Sequence, residues 1–232
     1  MTHYFGIKVD THIAICSELF TTDLPFNQAI LQSGVATLSV RSLEHQQALY
    51  EKIVDHLKIE ADKSPKERLQ DLREVPADDL VNSYTCLGTP VPSWQATVDG
   101  YFLKVIPTVL NLPLQKYPPS LKRVLIGDCA AEGLIFADRL NRMEWSFGKL
   151  ELLFSKVLGE KRGQEVLQAY GMSENSSTED LFLSLINFLT DAEWSQPIQA
   201  VAKSFSNGDV FYYHMAEGNP FDGANKGKSN YQ

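Results

Sequence analysis

The stretch Arg123-Val-Leu-Ile-Gly127 is the clearest strand of the sequence, because it is a short apolar run that ends at a glycine. Runs of this kind are typical of buried parallel strands. Residues 28–34 and 209–215 predict two further strands, one well before and one well after it. Strands that are separated by helical segments indicate an α/β protein with a largely parallel sheet.

Helical periodicity accounts for much of the remaining chain. The predicted helical segments are residues 42–59, 64–74, 76–84 and, with interruptions, 144–202. Ser42 or Ser39 can cap the first of these helices, and Ser64 followed by Pro65 is a typical start for the second. Only three convincing strands accompany this much helix, so the sheet is expected to be incomplete.

Composition and charge exclude several classes of partner. The net charge is -8, from 29 acidic and 21 basic residues, and such a field disfavours binding to nucleic acid and to anionic membrane surfaces. No apolar run is long enough for a membrane span, and the N-terminal residues lack the pattern of a secretory signal, so a cytoplasmic location is the default expectation. The three cysteines and five histidines show no metal-ligand spacing, and no cofactor is expected.

Four segments, taken in chain order, resemble the type-B carboxylesterase family, which includes fungal carboxylesterases, lipases and cholinesterases. They are residues 26–34, residues 97–107, Val124–Gly127 with Glu132–Phe136, and residues 209–227. The resemblance implies the C-terminal part of an α/β-hydrolase fold, with an incomplete, mostly parallel sheet and many helices. It implies one partial domain over residues 1–232, with a divergent nucleophile-elbow region (1–25), a matching core (26–215) and a loop tail (216–232).

The family resemblance also implies a catalytic triad of Ser, Glu or Asp, and His, which acts through an acyl-enzyme on an ester substrate. Glu132 stands at the position of the triad acid, just after a strand, where it could hold a histidine in the useful tautomer. The alternative is that Glu132 only places negative charge at the start of a helix over residues 132–140.

The other two triad positions are substituted. The family's G-x-S-x-G elbow is matched here by Gly6-Ile-Lys-Val-Asp10, in which Lys8 replaces the serine. The family's histidine would fall at about Tyr231, and a phenol cannot shuttle protons at neutral pH as an imidazole does. His214 is a tempting substitute, but its position in the family suggests a packed, structural histidine, and Ser33 is expected to be a turn residue.

The resemblance therefore predicts a chain that is catalytically inactive. The family's oxyanion hole comes from a glycine-rich loop before the nucleophile, and no such loop precedes Phe5. Two alternatives remain. One is a non-catalytic binding module on a hydrolase scaffold, and the other is an active esterase that uses Lys8 or Ser17 in an unrecognised way.

Overall fold

The computed structural model describes residues 4–7, 26–34, 37, 40–86, 96–101, 103–114, 117–140 and 143–217. These residues belong to two compact units. The larger unit contains the described residues up to 37 and from 108 onward, and the smaller unit contains those from 40 to 107.

A four-stranded parallel sheet forms the centre of the larger unit. Its strands, in spatial order, are β1 (Tyr4–Ile7), β2 (Gln28–Gln32), β5 (Arg123–Cys129) and β6 (Asp209–Met215). In the shared register, Ile126 lies between Leu31 and Tyr212. Because all four strands run in the same direction, their carboxyl ends meet at one edge of the sheet.

In its described residues, the smaller unit combines two short parallel strands with three helices. The strands are β3 (Val40–Ser42) and β4 (Ala96–Val98), and the helices are α1 (Leu43–His56), α2 (Pro65–Glu74) and α3 (Ala77–Cys86). Ser42 caps α1 by accepting from the backbone N–H of His45, and Ser64 forms a reciprocal capping box with Glu67 at the start of α2. These caps satisfy backbone donors that a helix start would otherwise leave unpaired.

Five helices follow the third strand of the sheet along the chain. They are α4 (Ala137–Leu140), α5 (Phe147–Leu158), α6 (Glu160–Ala169), α7 (Thr178–Thr190) and α8 (Gln196–Ser204). The described part of the unit also contains the 3-10 segments Leu112–Leu114 and Glu132–Phe136 and the π-helical segment Asp191–Ser195. The π-helical segment joins α7 directly to α8.

Buried apolar side chains of the larger unit form two clusters. In the first, strand residues such as Leu31 and Ile126 pack with Ile198 and Val201 of α8. The second lies among α5, α6 and α7, and it includes Phe154. The first cluster covers one face of the sheet, because alternate strand residues point to the same side.

The α/β class and the mostly parallel sheet are confirmed, but the predicted number of strands is wrong. The described residues contain six strands, where three were predicted. The missed strands β1 and β3 have only three or four residues, and such short segments carry too little periodicity to be distinguished from loop. Across the described part of the chain, no helix is long and apolar enough to cross a bilayer.

Candidate functional site

The carboxyl edge of the four-stranded sheet is the candidate site, because side chains that follow parallel strands meet in the crevice there. Close packing of β5 against β6 fixes this edge. A Cβ atom added at Gly127 would collide with the backbone carbonyl and the ring of Tyr213 on β6. Glycine at this position therefore lets the two strands approach each other just before their ends.

Glu132 begins the 3-10 segment that follows β5, and its carboxylate folds back on its own turn. The backbone N–H of Cys129 donates to Glu132 Oε1 at 2.8 Å. The next residue, Gly133, holds the turn against α7. Its N–H donates to Thr190 Oγ1 at 2.9 Å, and a Cβ atom at this position would clash with the carbonyl of Ile186. Glu132 thus lies at the expected edge of the sheet, half-buried, with one oxygen engaged by the local backbone.

Asp128, the sixth residue of β5, has no solvent exposure at all. Ser195 Oγ donates to its Oδ2 at 2.6 Å, and Tyr212 Oη donates to its Oδ1 at 3.2 Å. His214 Nδ1 lies 2.8 Å from the same Oδ1. His214 Nδ1 donates in this contact when Asp128 is ionised, because an ionised carboxylate can only accept hydrogen bonds. Three side-chain donors stabilise a buried charge that would otherwise be costly.

Burial and neighbouring carboxylates raise the pKa values of several groups at this edge, among them Cys129 and Tyr212. Burial, followed by the charge of Glu132, raises the pKa of the Cys129 thiol. Burial, followed by the charge of Asp128 and the hydrogen bond to it, raises the pKa of Tyr212. Cys129 is therefore a protonated thiol at neutral pH, which makes it a poor nucleophile.

A family model described as "Carboxylesterase family" matches residues 11–229. The chain belongs to the carboxylesterase family. A search of curated protein sequences finds no match.

Two solved esterases share the fold of this carboxylesterase-family chain. A PNB esterase is 19% identical, with a TM-score of 0.66, over 91% of this chain and 43% of its own. The carboxylesterase EST55 of Geobacillus stearothermophilus, at pH 6.2, is 21% identical, with a TM-score of 0.68, over 94% of this chain and 44% of its own. The chain therefore spans less than half the length of these esterases, and identities this low show the fold alone.

The structure brings together only part of the site that the carboxylesterase resemblance predicts. Glu132 lies at the carboxyl edge, whereas Lys8, Ser17 and Tyr231 lie outside the described residues. The role of Glu132 as triad acid stays a prediction. Ser33 is a turn residue as expected, since it has a positive φ of 53° and its N–H donates to the carbonyl of Gly127 at 2.9 Å.

His214 differs from the packed residue that was expected. Its side chain is 46% exposed, because β6 is one of the two edge strands of the sheet as described, although its Nδ1 contacts the buried Asp128. The pairing resembles the acid–imidazole half of a triad, in which the acid holds the imidazole in one tautomer. Whether His214 has a structural role stays a prediction.

Sequence reasoning missed Asp128 and Ser195. A signal for Asp128 existed, because strand alternation places it on the same buried face as Val124 and Ile126. A carboxylate in such a position needs donors, and that need could have been stated from the sequence. Ser195 gave no comparable signal, since it follows a tryptophan in a helical stretch and only the fold brings it to Asp128.

Among the residues that the structure describes, the edge shows no hydroxyl–imidazole pair of the kind that nucleophilic ester cleavage requires. The Ser195 hydroxyl donates to Asp128, on the opposite carboxylate oxygen from His214. Within the described ranges no serine hydroxyl is paired with the His214 imidazole, and no group of three His, Cys, Asp or Glu side chains could hold a metal ion. The described edge can hold a charge and orient an imidazole, but it presents no activated nucleophile.

Proposed function

We propose that this carboxylesterase-family chain does not hydrolyse esters. The proposal is supported first by the sequence, in which Lys8 and Tyr231 stand where the family resemblance places the nucleophile and the histidine. The 232 residues contain no complete G-x-S-x-G motif. Glu132 would then stand at the predicted position of the triad acid, but without the serine and the histidine of a complete triad.

The observation that carries the proposal is the direction of the Ser195 hydroxyl. Its 2.6 Å hydrogen bond commits the proton to Asp128, and the side chain is buried. A general base must lie within hydrogen-bond reach of the proton that it removes. The imidazole of His214 is held on the other oxygen of the same carboxylate, so the two groups flank Asp128 instead of facing each other.

The expected loss of activity is large. In serine hydrolases, removal of the nucleophile or the histidine alone lowers kcat by about 10⁶-fold. Turnover of a short-chain ester should therefore be indistinguishable from that of the denatured chain.

The test is to treat the full chain with a fluorophosphonate probe and with a short-chain nitrophenyl ester, with a heat-denatured sample as the blank. We expect no labelled serine and no turnover above the blank. Two variants make the test specific to the proposed acid: Glu132→Gln, and the matched control Glu174→Gln, which removes a carboxylate from an exposed turn. A labelled serine, or turnover that falls in Glu132→Gln and not in Glu174→Gln, would overturn the proposal.

A second candidate is a non-catalytic binding module on the hydrolase scaffold. The complete pairing of Asp128 favours it, because satisfied buried polar groups specify a unique packed core. A module of this kind should unfold in one cooperative thermal transition followed by circular dichroism. A gradual loss of signal would instead support a fragment that needs further chain in order to fold.

A further inference from the structure

The smaller unit contains a cleft that is formed by its three helices. The cleft has a volume of about 350 Å³ and is lined by Tyr50, Ile53, Leu72, Arg73, Leu80 and Tyr84. Small-molecule sites usually occupy clefts of about 300–1,000 Å³ that are mostly apolar, with a few polar groups that fix the orientation of the ligand. The cleft has this composition, and its size suits a small ligand.

Arg73 is the one cation on the described wall of the cleft. Its side chain is exposed, and among the described residues no carboxylate forms an ion pair with it. The carboxylates beside it on α2 have other partners: Asp71 pairs with Lys63 at 3.0 Å, and Glu74 accepts from Gln70 Nε2 at 3.0 Å. The guanidinium therefore remains available to an anion from solution.

A side-chain bridge ties two of the cleft's helices together without any ligand. Both terminal nitrogens of Arg68 donate to the carboxylate of Glu51, at 2.9 and 3.1 Å, which ties α2 to α1. The same guanidinium lies 5.1 Å from the ring centre of Tyr50, which lines the cleft. A preformed wall lowers the entropic cost of binding.

We propose that this cleft binds a carboxylic acid with a short apolar chain. The chain would pack on Ile53, Leu72 and Leu80, and the carboxylate would pair with Arg73 at the mouth. An arginine fork matches the two oxygens of a carboxylate and would select the anion over a neutral or cationic molecule with the same tail. The inference does not depend on whether the chain hydrolyses esters.

The test is isothermal titration calorimetry of the full chain with sodium octanoate, 1-octanol and octyltrimethylammonium. We expect octanoate to bind with a Kd of about 1 mM or tighter and the other two to bind more weakly. Arg73→Gln should weaken octanoate binding by about fivefold or more. The matched control Lys66→Gln removes a charge from the same helix outside the cleft lining and should leave binding unchanged.

The unmodified chain alone keeps the proposal testable if a variant fails to fold. Equal binding of octanoate and octanol would overturn the role of Arg73, and absence of octanoate binding at millimolar concentration would overturn the site itself. An equal loss of affinity in Arg73→Gln and Lys66→Gln would overturn the specific pairing with Arg73, because the loss would then follow the net charge of the chain. Each result is independent of the ester assay, so failure of this inference leaves the proposed lack of hydrolysis untouched.

Discussion

Two carboxylates four residues apart, Asp128 and Glu132, stand in opposite situations at the end of β5. Asp128 is wholly buried, and three side chains from two other elements contact it. Glu132 is half-buried, and the N–H of Cys129 in its own turn donates to it. Among the described residues, the carboxylate that the family resemblance predicts as the triad acid is therefore not the one that contacts an imidazole.

A carboxylate's position in the chain and the contacts that it makes are therefore separate properties in this site. Removal of a buried carboxylate leaves its donors without partners, so the cost should depend on the number of donors and on their burial. Removal of a carboxylate that serves one backbone N–H in a turn should cost much less. The variants below test the contrast from the larger effect to the smaller.

Asp128→Ala should have the largest effect on stability. It leaves the buried Ser195 hydroxyl, the Tyr212 hydroxyl and the His214 ring N–H without an acceptor, and we expect a loss of about 2–4 kcal/mol in the free energy of unfolding. Urea unfolding followed by circular dichroism measures it. The control is Asp209→Ala on the next strand, whose carboxylate is 66% exposed and should change stability by less than about 0.5 kcal/mol. Equal losses in the two variants would show that the Asp128 network stabilises nothing.

The three donors of Asp128 should differ in strength. Ser195→Ala should cost about 1.5–3 kcal/mol, because it removes a buried hydrogen bond of 2.6 Å to a charged acceptor. Tyr212→Phe removes a bond of 3.2 Å from a more exposed residue and should cost about 1 kcal/mol. A double-mutant cycle in urea measures their coupling through Asp128. A larger loss in the free energy of unfolding for Tyr212→Phe than for Ser195→Ala would show that burial does not set the strength of these hydrogen bonds.

Tyr212 should also make stability depend on alkaline pH. Its folded-state pKa lies above its unfolded value, so its contribution is fully present below pH about 10, the usual pKa of tyrosine, and is lost as the pH rises through the folded pKa. The free energy of unfolding should therefore fall above pH 10, and it should fall less steeply in Tyr212→Phe, by at most about 1.4 kcal/mol per pH unit. Tyr101→Phe, at an exposed position, is the control. Equal slopes in the wild type and Tyr212→Phe would contradict the expectation.

Much of the fold was predictable from the sequence, and the reasons are local. Residues 209–215 form a strand with the predicted bounds, and Ser64 starts a helix as its capping pattern indicated. The strand Tyr4–Ile7 was missed because four residues give too little periodicity. Its place in the sheet comes from pairing with β2, which is information that local sequence does not contain.

The candidate site was predictable only in part. The family resemblance placed Glu132 at the edge of the sheet, but it gave no indication that Cys129 would engage the carboxylate. The Asp128 network joins residues that are up to 86 positions apart. Such contacts depend on how β6 and the π-helical segment pack on β5, and no spacing in the sequence encodes that packing.

Glu132→Gln should have the smallest effect and should be visible through Cys129. The Glu132 charge is the second cause, after burial, of the raised pKa of the thiol. Glutamine keeps an oxygen that can accept from the Cys129 N–H, so stability should change by less than about 1 kcal/mol. Loss of the negative charge should lower the pKa of the thiol toward its usual value and increase the thiolate fraction at a fixed pH below that pKa.

The readout is the rate of iodoacetamide alkylation at pH 8, followed by mass spectrometry of the peptide that contains Cys129. We expect an increase of about two- to fivefold in Glu132→Gln, less than the tenfold that a full unit of pKa would allow. Glu144→Gln, at an exposed position, should leave the rate unchanged. An unchanged rate in Glu132→Gln, with stability retained, would mean that the charge of Glu132 faces away from the thiol. Glu132 would then be free to serve a group across the crevice, and its contrast with Asp128 would no longer hold.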